Sequence, residues 1–290
     1  MALFPLAQQV GRRSLFGLLL SSSVAFLAHR RRSLNKSGVA GAIITGTTTV
    51  GLGGWSWGLS LIFFFVSSSL LSHFRERDKA ALAEDKFSKG SERDIAQVMA
   101  NGGVATLLTL GYRFGVSPTF RSACEAGYIG AFATATADTW ATELGTLSTQ
   151  SPRLITTGKR TVPGTSGGVT LLGTSVAAVG AAALGLFYAL IARQRYTRFT
   201  LIALVSGLLG SLCDSFLGAT VQAMYYCPVC KKETERRVHG CGTPTVPLRG
   251  VSWLNNDAVN FLATLWGAAV AMLLNAIWRK EEQPIQSFRE

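Results

Sequence analysis

The chain has 290 residues, 48% of them hydrophobic and only 15% charged, with a mean hydropathy of +0.29. Charge this sparse, set between long apolar runs, excludes an ordinary soluble domain and points to an integral membrane protein. The net charge of +12 does not argue for nucleic-acid binding, because the cations flank the apolar runs, where they orient helices and meet anionic headgroups.

Eight apolar segments are predicted, at 14–28, 38–54, 55–73, 96–113, 124–145, 168–192, 199–224 and 254–278, each near the length that crosses a bilayer. The expected fold class is therefore all-α, a polytopic bundle of about eight transmembrane helices, carrying a small Cys/His metal-binding loop. The first segment, GRRSLFGLLLSSSVAFLAHRRR, imitates a signal peptide. Cations follow its apolar run and a small-residue cleavage site is absent, so it reads as an uncleaved helix. Gly51, Gly53 and Gly54 punctuate the join of the second and third segments.

Residues 74–95 are polar, mixed in sign and helix-prone, and read as a linker or cytoplasmic helix whose Lys86, Lys89 or Arg93 could reach an acidic ligand. Asn101, Gly102 and Gly103 follow at a helix entrance, where a ligand could approach closely or the residues could simply pack. The chain divides into N-terminal helices (1–73), this linker (74–95), a membrane core (96–278, with the Cys/His loop at 225–252) and a tail (279–290). Loops after the first, third, fifth and seventh segments carry 18 of the 28 Lys and Arg residues. The positive-inside rule thus places those loops in the cytoplasm and both termini outside.

Three carboxylates stand in apolar runs: Asp138 in GAFATATADTWATELG, Asp214 in LLGSLCDSFLGA and Asp257 in WLNNDAVNFLATL. A charge at membrane depth costs at least about 2.5 kcal/mol, so such residues face a bundle interior and mark function or a structural hydrogen bond. Gly207, Gly210, Ser211, Asp214 and Gly218 share one helix face. That small-residue stripe allows close packing and keeps Asp214 off lipid. Asn256, Asp257, Asn260 and Thr264 share another face. Glu143, five residues from Asp138, is expected to point elsewhere. Asp138-Thr139-Trp140 and Asp214-Ser215-Phe216 form a weak internal echo.

Between the first two of these segments lies TTGKRTVPGTSGG. It is not a Walker A loop, since the Gly-Lys-Ser/Thr order is missing. Gly164, Gly167 and Gly168 could adopt positive φ and form an anion nest, Lys159 and Arg160 supply charge, and Thr165 and Ser166 supply hydroxyls. Further on, Cys227-x2-Cys230 and His239-x-Cys241 have the spacing of a closed tetrahedral site, expected to hold structural Zn²⁺.

The strings ATADTWATELG, PRLITTGKRTVPGTSGGVTLLGT, GLLGSLCDSFLGATVQ and WLNNDAVNF resemble the transmembrane protein 19 family, which includes the plant phytyl-phosphate kinase. A fainter likeness joins them to dolichol and phytol kinases and to CDP-diacylglycerol synthases. The resemblance implies a membrane isoprenyl-phosphate kinase that moves a phosphoryl group from CTP or another nucleoside triphosphate onto a prenyl monophosphate. On that reading Asp138 and Asp214 hold Mg²⁺, while Asp257, Asn256 and Asn260 complete the shell or orient the acceptor. Lys159, Arg160 and residues 164–168 bind phosphates, with Lys159 acting in catalysis. The expected setting is multi-pass in a bacterial cell membrane, with the site on the cytoplasmic face and an oligomer allowed by the small-residue stripes. Two alternatives use the same carboxylates: an ion relay or transporter, and cytidylyl transfer to a lipid phosphate.

Overall fold

The structure, a computed structural model, describes residues 3–75 and 92–286; most of the expected linker, with Lys86 and Lys89, lies outside the described residues. Among the described residues eight α-helices run in chain order: α1 (Leu3–Arg30), α2 (Lys36–Thr48), α3 (Trp55–His73), α4 (Ile95–Phe114), α5 (Pro118–Gly145), α6 (Leu171–Ala192), α7 (Tyr196–Thr220) and α8 (Asn256–Gln286). A π-helical turn, Thr49–Gly53, extends α2, and Gly54, at φ 95°, breaks the chain before α3. Here the glycines serve packing. A Cβ on Gly46 or Gly51 would strike Ser21 or Ser14 of α1, so their absence lets the first two helices touch.

Among the described residues five helices are long and apolar enough to cross a membrane: α1 (Gln8–Arg30), α3, α6, α7 and α8 (Asn256–Lys280). The expectation of eight spans is thus met on length and composition by five. Helix α2 is too short, at 13 residues. Helix α5 has the length, and its composition has a physical explanation. It packs against α3, α4, α6, α7 and α8, and every residue from Ala126 to Ala137 is buried. Its neighbours are protein, so it can be built of Ala, Gly and Thr rather than Leu and Ile.

Local signals set several boundaries. Ser117 caps α5, accepting from the Phe120 amide at 3.0 Å, and Pro118 takes the first turn. This Ser-Pro start places the helix six residues earlier than hydropathy suggested. Helix α4 opens on a capping box between Asp94 and Gln97. The Arg93 amide donates to Ser33 O at 3.0 Å and Arg93 O accepts from the Asn35 amide at 3.1 Å, which ties the α1–α2 and α3–α4 connections together.

The all-α expectation needs one correction, because five short strands occupy loops among the described residues. Arg153–Leu154 (β1) and Gly168–Val169 (β2) pair antiparallel. Met224–Cys227 (β3), Lys232–Thr234 (β4) and Val246–Arg249 (β5) form a sheet in the order β4-β3-β5. The segment expected to be helical to 224 therefore turns into β3 after Thr220. These loops lie beyond the C-terminal ends of α5 and α7 and the N-terminal ends of α6 and α8. All of them gather at one end of the bundle.

Candidate functional site

At that end a cavity of about 500 Å³ opens between the helices. Asp138, Asp214, Asp257, Asn256 and Asn260 all line it, so the structure brings together the intramembrane carboxylates that sequence singled out. Small residues make this possible. Thr134 of α5 fits into a notch formed by Gly210 of α7 and Gly267 of α8, where a Cβ on either glycine would collide with it. One turn on, Ser211 of α7 donates to Asp138 Oδ1 at 3.3 Å. Ser211 precedes Asp214 by three residues on the same face, so the bond sets the two carboxylates side by side. Asp214 Oδ2 is sealed from solvent and takes no hydrogen bond. A buried carboxylate oxygen in that state is costly unless a cation accompanies it. The donor set, carboxylates with amide oxygens, suits a hard divalent ion.

The glycine loop forms one wall, with Pro163, Gly164, Thr165, Ser166, Gly167 and Gly168 lining the cavity. Gly164 and Gly167 adopt the expected positive φ, at 75° and 82°. Gly168 does not; it belongs to β2, paired with Leu154. Gly167 also lies so close to Ala219 of α7 that no Cβ fits, which pins the loop to the helix carrying Asp214. The two hydroxyls brace the loop: Thr165 donates to Val162 O at 2.8 Å and Ser166 to Gln222 Oε1 at 2.9 Å. Lys159 and Arg160 are exposed on the β1–β2 turn and do not line the cavity. Their expected phosphate-binding role has no geometric support, because the hairpin formed by β1 and β2 carries them outward. Lys159→Ala and Arg160→Ala are accordingly expected to lower activity by less than about fivefold, the scale of an exposed charge. Initial-rate measurements on the two variants check this.

Sequence reasoning named Asp138, Asp214, Asp257 and, as a residue that could reach an acidic ligand, Arg93, but it missed Glu235 and Arg236 and misdirected Glu143. Arg93, Glu143, Glu235 and Arg236 all face the cavity. The Arg93 guanidinium reaches Ser69 and Ser72 on α3 at 3.4 and 3.5 Å, and Ser72 donates to Glu143 Oε1 at 2.7 Å. Glu143 therefore does not point elsewhere as expected; the cavity is wide enough to take in both faces of the last α5 turns. The N-terminal turns of α4, α6 and α8 supply Gln97, Thr170 and Gly173, and Asn256 to the lining. Three helix N-termini facing one space offer partial positive charge to an anion.

The predicted metal ligands also meet. One ligand atom from each of Cys227, Cys230, His239 and Cys241 lies within 4.8 Å of the others. Thiol pKa values diverge within this group. Cys241 is drawn down to about 6, chiefly by its hydrogen bond with the Thr243 side chain, and Cys230 is pushed up to about 11, chiefly by its bond with Cys241.

Fold and site together define an integral membrane helical bundle with a carboxylate-lined cavity at one end. The chain belongs to the family described as "Integral membrane protein DUF92", whose model matches residues 19–268. It is 36% identical to Protein PGR of Arabidopsis thaliana over 276 residues, covering 87% of this chain and 93% of that one. It is 29% identical to the uncharacterised membrane protein MJ0933 of Methanocaldococcus jannaschii, covering 90% and 94%. It is 26% identical to Protein VTE6, chloroplastic, of Arabidopsis thaliana, covering 83% and 65%. No solved structure matches. The family resemblance drawn from the Asp-bearing strings is borne out by these matches.

Proposed function

We propose that the protein is a membrane isoprenyl-phosphate kinase that transfers the γ-phosphoryl group of a nucleoside triphosphate, such as CTP, to a prenyl monophosphate. The observation that carries this reading is a shared wall. Arg93, Gln97 and Asn101 line both the polar cavity and an adjoining, almost wholly apolar pocket walled by Leu20, Val24, Phe64 and Phe65. A molecule with an anionic head and a hydrocarbon tail has complementary surroundings on the two sides of that wall. The resemblance to the family of the plant phytyl-phosphate kinase and the distant match to Protein VTE6 support the same substrate class.

Phosphoryl transfer needs alignment and charge neutralisation more than covalent help from the protein. An acceptor phosphate oxygen forms the new bond to the γ-phosphorus, the bond to the β-phosphate oxygen breaks, and the nucleoside diphosphate leaves. Because the acceptor is already anionic, no general base is required. Asp138 and Asp214 would hold Mg²⁺, which when bound neutralises phosphate charge. Asn256, Asp257 and Asn260 orient the head groups. The α4, α6 and α8 N-termini, Arg93 and Arg236 face the phosphates, and the Gly164–Gly168 wall brings backbone close to them. On this reading the connections at this end face the cytoplasm, and α4 and α5 cross the membrane inside the ring of apolar helices.

A transport pathway is disfavoured by what lies below the cavity. A second polar group, in which Tyr188 donates to Glu125 and Arg198 bonds Asn275 at 2.6 Å, sits at the other end of α5. Thirteen residues, about 20 Å of helix, separate Glu125 from Asp138, and that stretch is buried around Ile129, Phe132 and Ala133.

Incubating the purified protein in detergent with Mg²⁺, γ-labelled CTP or ATP, and phytyl, geranylgeranyl or farnesyl monophosphate tests the proposal. Label in a prenyl diphosphate is expected. Release of pyrophosphate with the nucleotide retained on the lipid would replace the reading by cytidylyl transfer, and no reaction with any pair would remove it.

A further inference from the structure

The β3–β5 loop contains two features that the reading above leaves unused: the cysteine–histidine cluster, and the charged pair Glu235–Arg236 that faces the cavity. They are linked in sequence, because Cys227 and Cys230 precede the pair while His239 and Cys241 follow it. We propose that the cluster binds one zinc ion whose role is to clamp this segment, seating Glu235 as a further carboxylate on the Asp138–Asp214 cation site. The proposal shares that site with the kinase reading but does not depend on the reaction.

The cluster has the geometry of a closed zinc site. Cys227 Sγ and Cys241 Sγ are 3.8 Å apart, too far for a disulfide, and the edge of a tetrahedron with Zn–S bonds of about 2.3 Å is about 3.8 Å. His239 Nδ1 is 3.2 Å from Cys241 Sγ. The Cys230 amide points at Cys227 Sγ, at 3.4 Å, and Lys231 holds a positive φ of 54°, so the chain turns tightly around the first thiol. The loop has a very small core. Met224, Cys227, Thr234 and His239 are its only buried side chains between 224 and 250. So small a core does not stabilise a sheet without a staple.

The connection to the cavity is a chain of hydrogen bonds. Glu235 Oε1 accepts from Gln222 Nε2 at 2.8 Å, and Gln222 Oε1 accepts from Ser166 at 2.9 Å. Gln222 is 1% exposed, so it fixes Glu235 to the glycine loop from inside the protein. Arg249 Nη1 donates to Gly218 O at 2.8 Å, anchoring β5 to the α7 end that follows Asp214. Glu235 thus reaches the wall that holds Asp214, whose Oδ2 is buried without a hydrogen bond. A loop tied at both ends of an eight-residue stretch by one ion (Cys230 before it, His239 after it) presents Glu235 and Arg236 in one position. Without the ion the loop loses this closure at both ends of the stretch.

Two readouts on the full chain in detergent test this: zinc content by mass spectrometry, and Mn²⁺ affinity by paramagnetic resonance. About one zinc per chain is expected, lost on chelation or in the Cys227→Ser, Cys230→Ser double variant. Glu235→Gln should keep its zinc yet bind Mn²⁺ at least about tenfold more weakly, as loss of an ion's partner group typically does. Zinc-stripped wild-type protein should show the same weakening, reversed by added zinc. Chelation and Glu235→Gln keep the test valid if the double variant does not fold. Substoichiometric zinc after reconstitution, or Mn²⁺ affinity unchanged by both treatments, overturns the proposal. So does wild-type protein that binds no Mn²⁺, which removes the cation site of the kinase reading as well. Zinc- and Glu235-dependent Mn²⁺ binding without phosphoryl transfer would instead sink the kinase reading alone.

Discussion

Asp214→Asn is expected to lower phosphoryl transfer by about 10³-fold or more, since on the kinase reading the carboxylate would hold the metal, and its loss removes several kcal/mol of charge stabilisation. It should do so without unfolding the protein. Asp214 Oδ2 is buried and takes no hydrogen bond, so in metal-free buffer the charged form is a burden that a neutral amide relieves. Thermal denaturation in detergent should therefore find the variant at least as stable as wild type without Mg²⁺. Adding Mg²⁺ should raise the wild-type melting temperature and leave the variant's nearly unchanged, because only a state that binds the ion gains from it. Asp138→Asn should behave alike in activity. Retained transfer in either variant would remove that residue from the mechanism.

Gly210→Ala is expected to be strongly damaging for a change of one methyl group. A Cβ there would lie 2.8 Å from Thr134 Cβ and closer still to both atoms beyond it. Thr134 is already committed, donating to Gly130 O at 2.9 Å and lying 3.3 Å from Ser206 O. Overpacking of this kind costs about 1–3 kcal/mol, and here the strain falls one turn from the Ser211–Asp138 bond. Both melting temperature and transfer should fall. The Gly210→Ala, Thr134→Ala double variant should recover part of each, since two of the three colliding atoms are gone. A double-mutant cycle reads that coupling directly. Additive losses would show that the notch does not set the helix spacing.

Much of the architecture was legible in the residue pattern because membrane helices announce themselves locally. Apolar runs located the eight helices of the described residues, and the positive-inside count put on one side the α5–α6 and α7–α8 connections that the structure gathers at one end. The carboxylates were legible for the same reason, since a charge within an apolar run is costly wherever the run folds. The cysteine and histidine spacing was also legible, as ligands close in sequence need only a turn to meet. The α5 boundary was misplaced because hydropathy overlooked the Ser117-Pro118 start, and the strands were missed because two to four residues carry no periodicity to read.

By itself, then, the sequence determined the helical membrane class, the helix faces bearing Asp138, Asp214 and Asp257, and the cluster at Cys227–Cys241, all consequences of composition and short-range spacing. The tertiary structure alone decided which loop charges meet those carboxylates. Lys159 and Arg160, beside the glycines in sequence, are turned outward by the β1–β2 hairpin, while Arg93, Glu235 and Arg236 are brought in. The reason is that a loop side chain takes its direction from long-range bonds. The Arg93 backbone is held by Ser33 and Asn35, and Glu235 is held by Gln222. None of those partners lies within ten residues, so no local pattern records them.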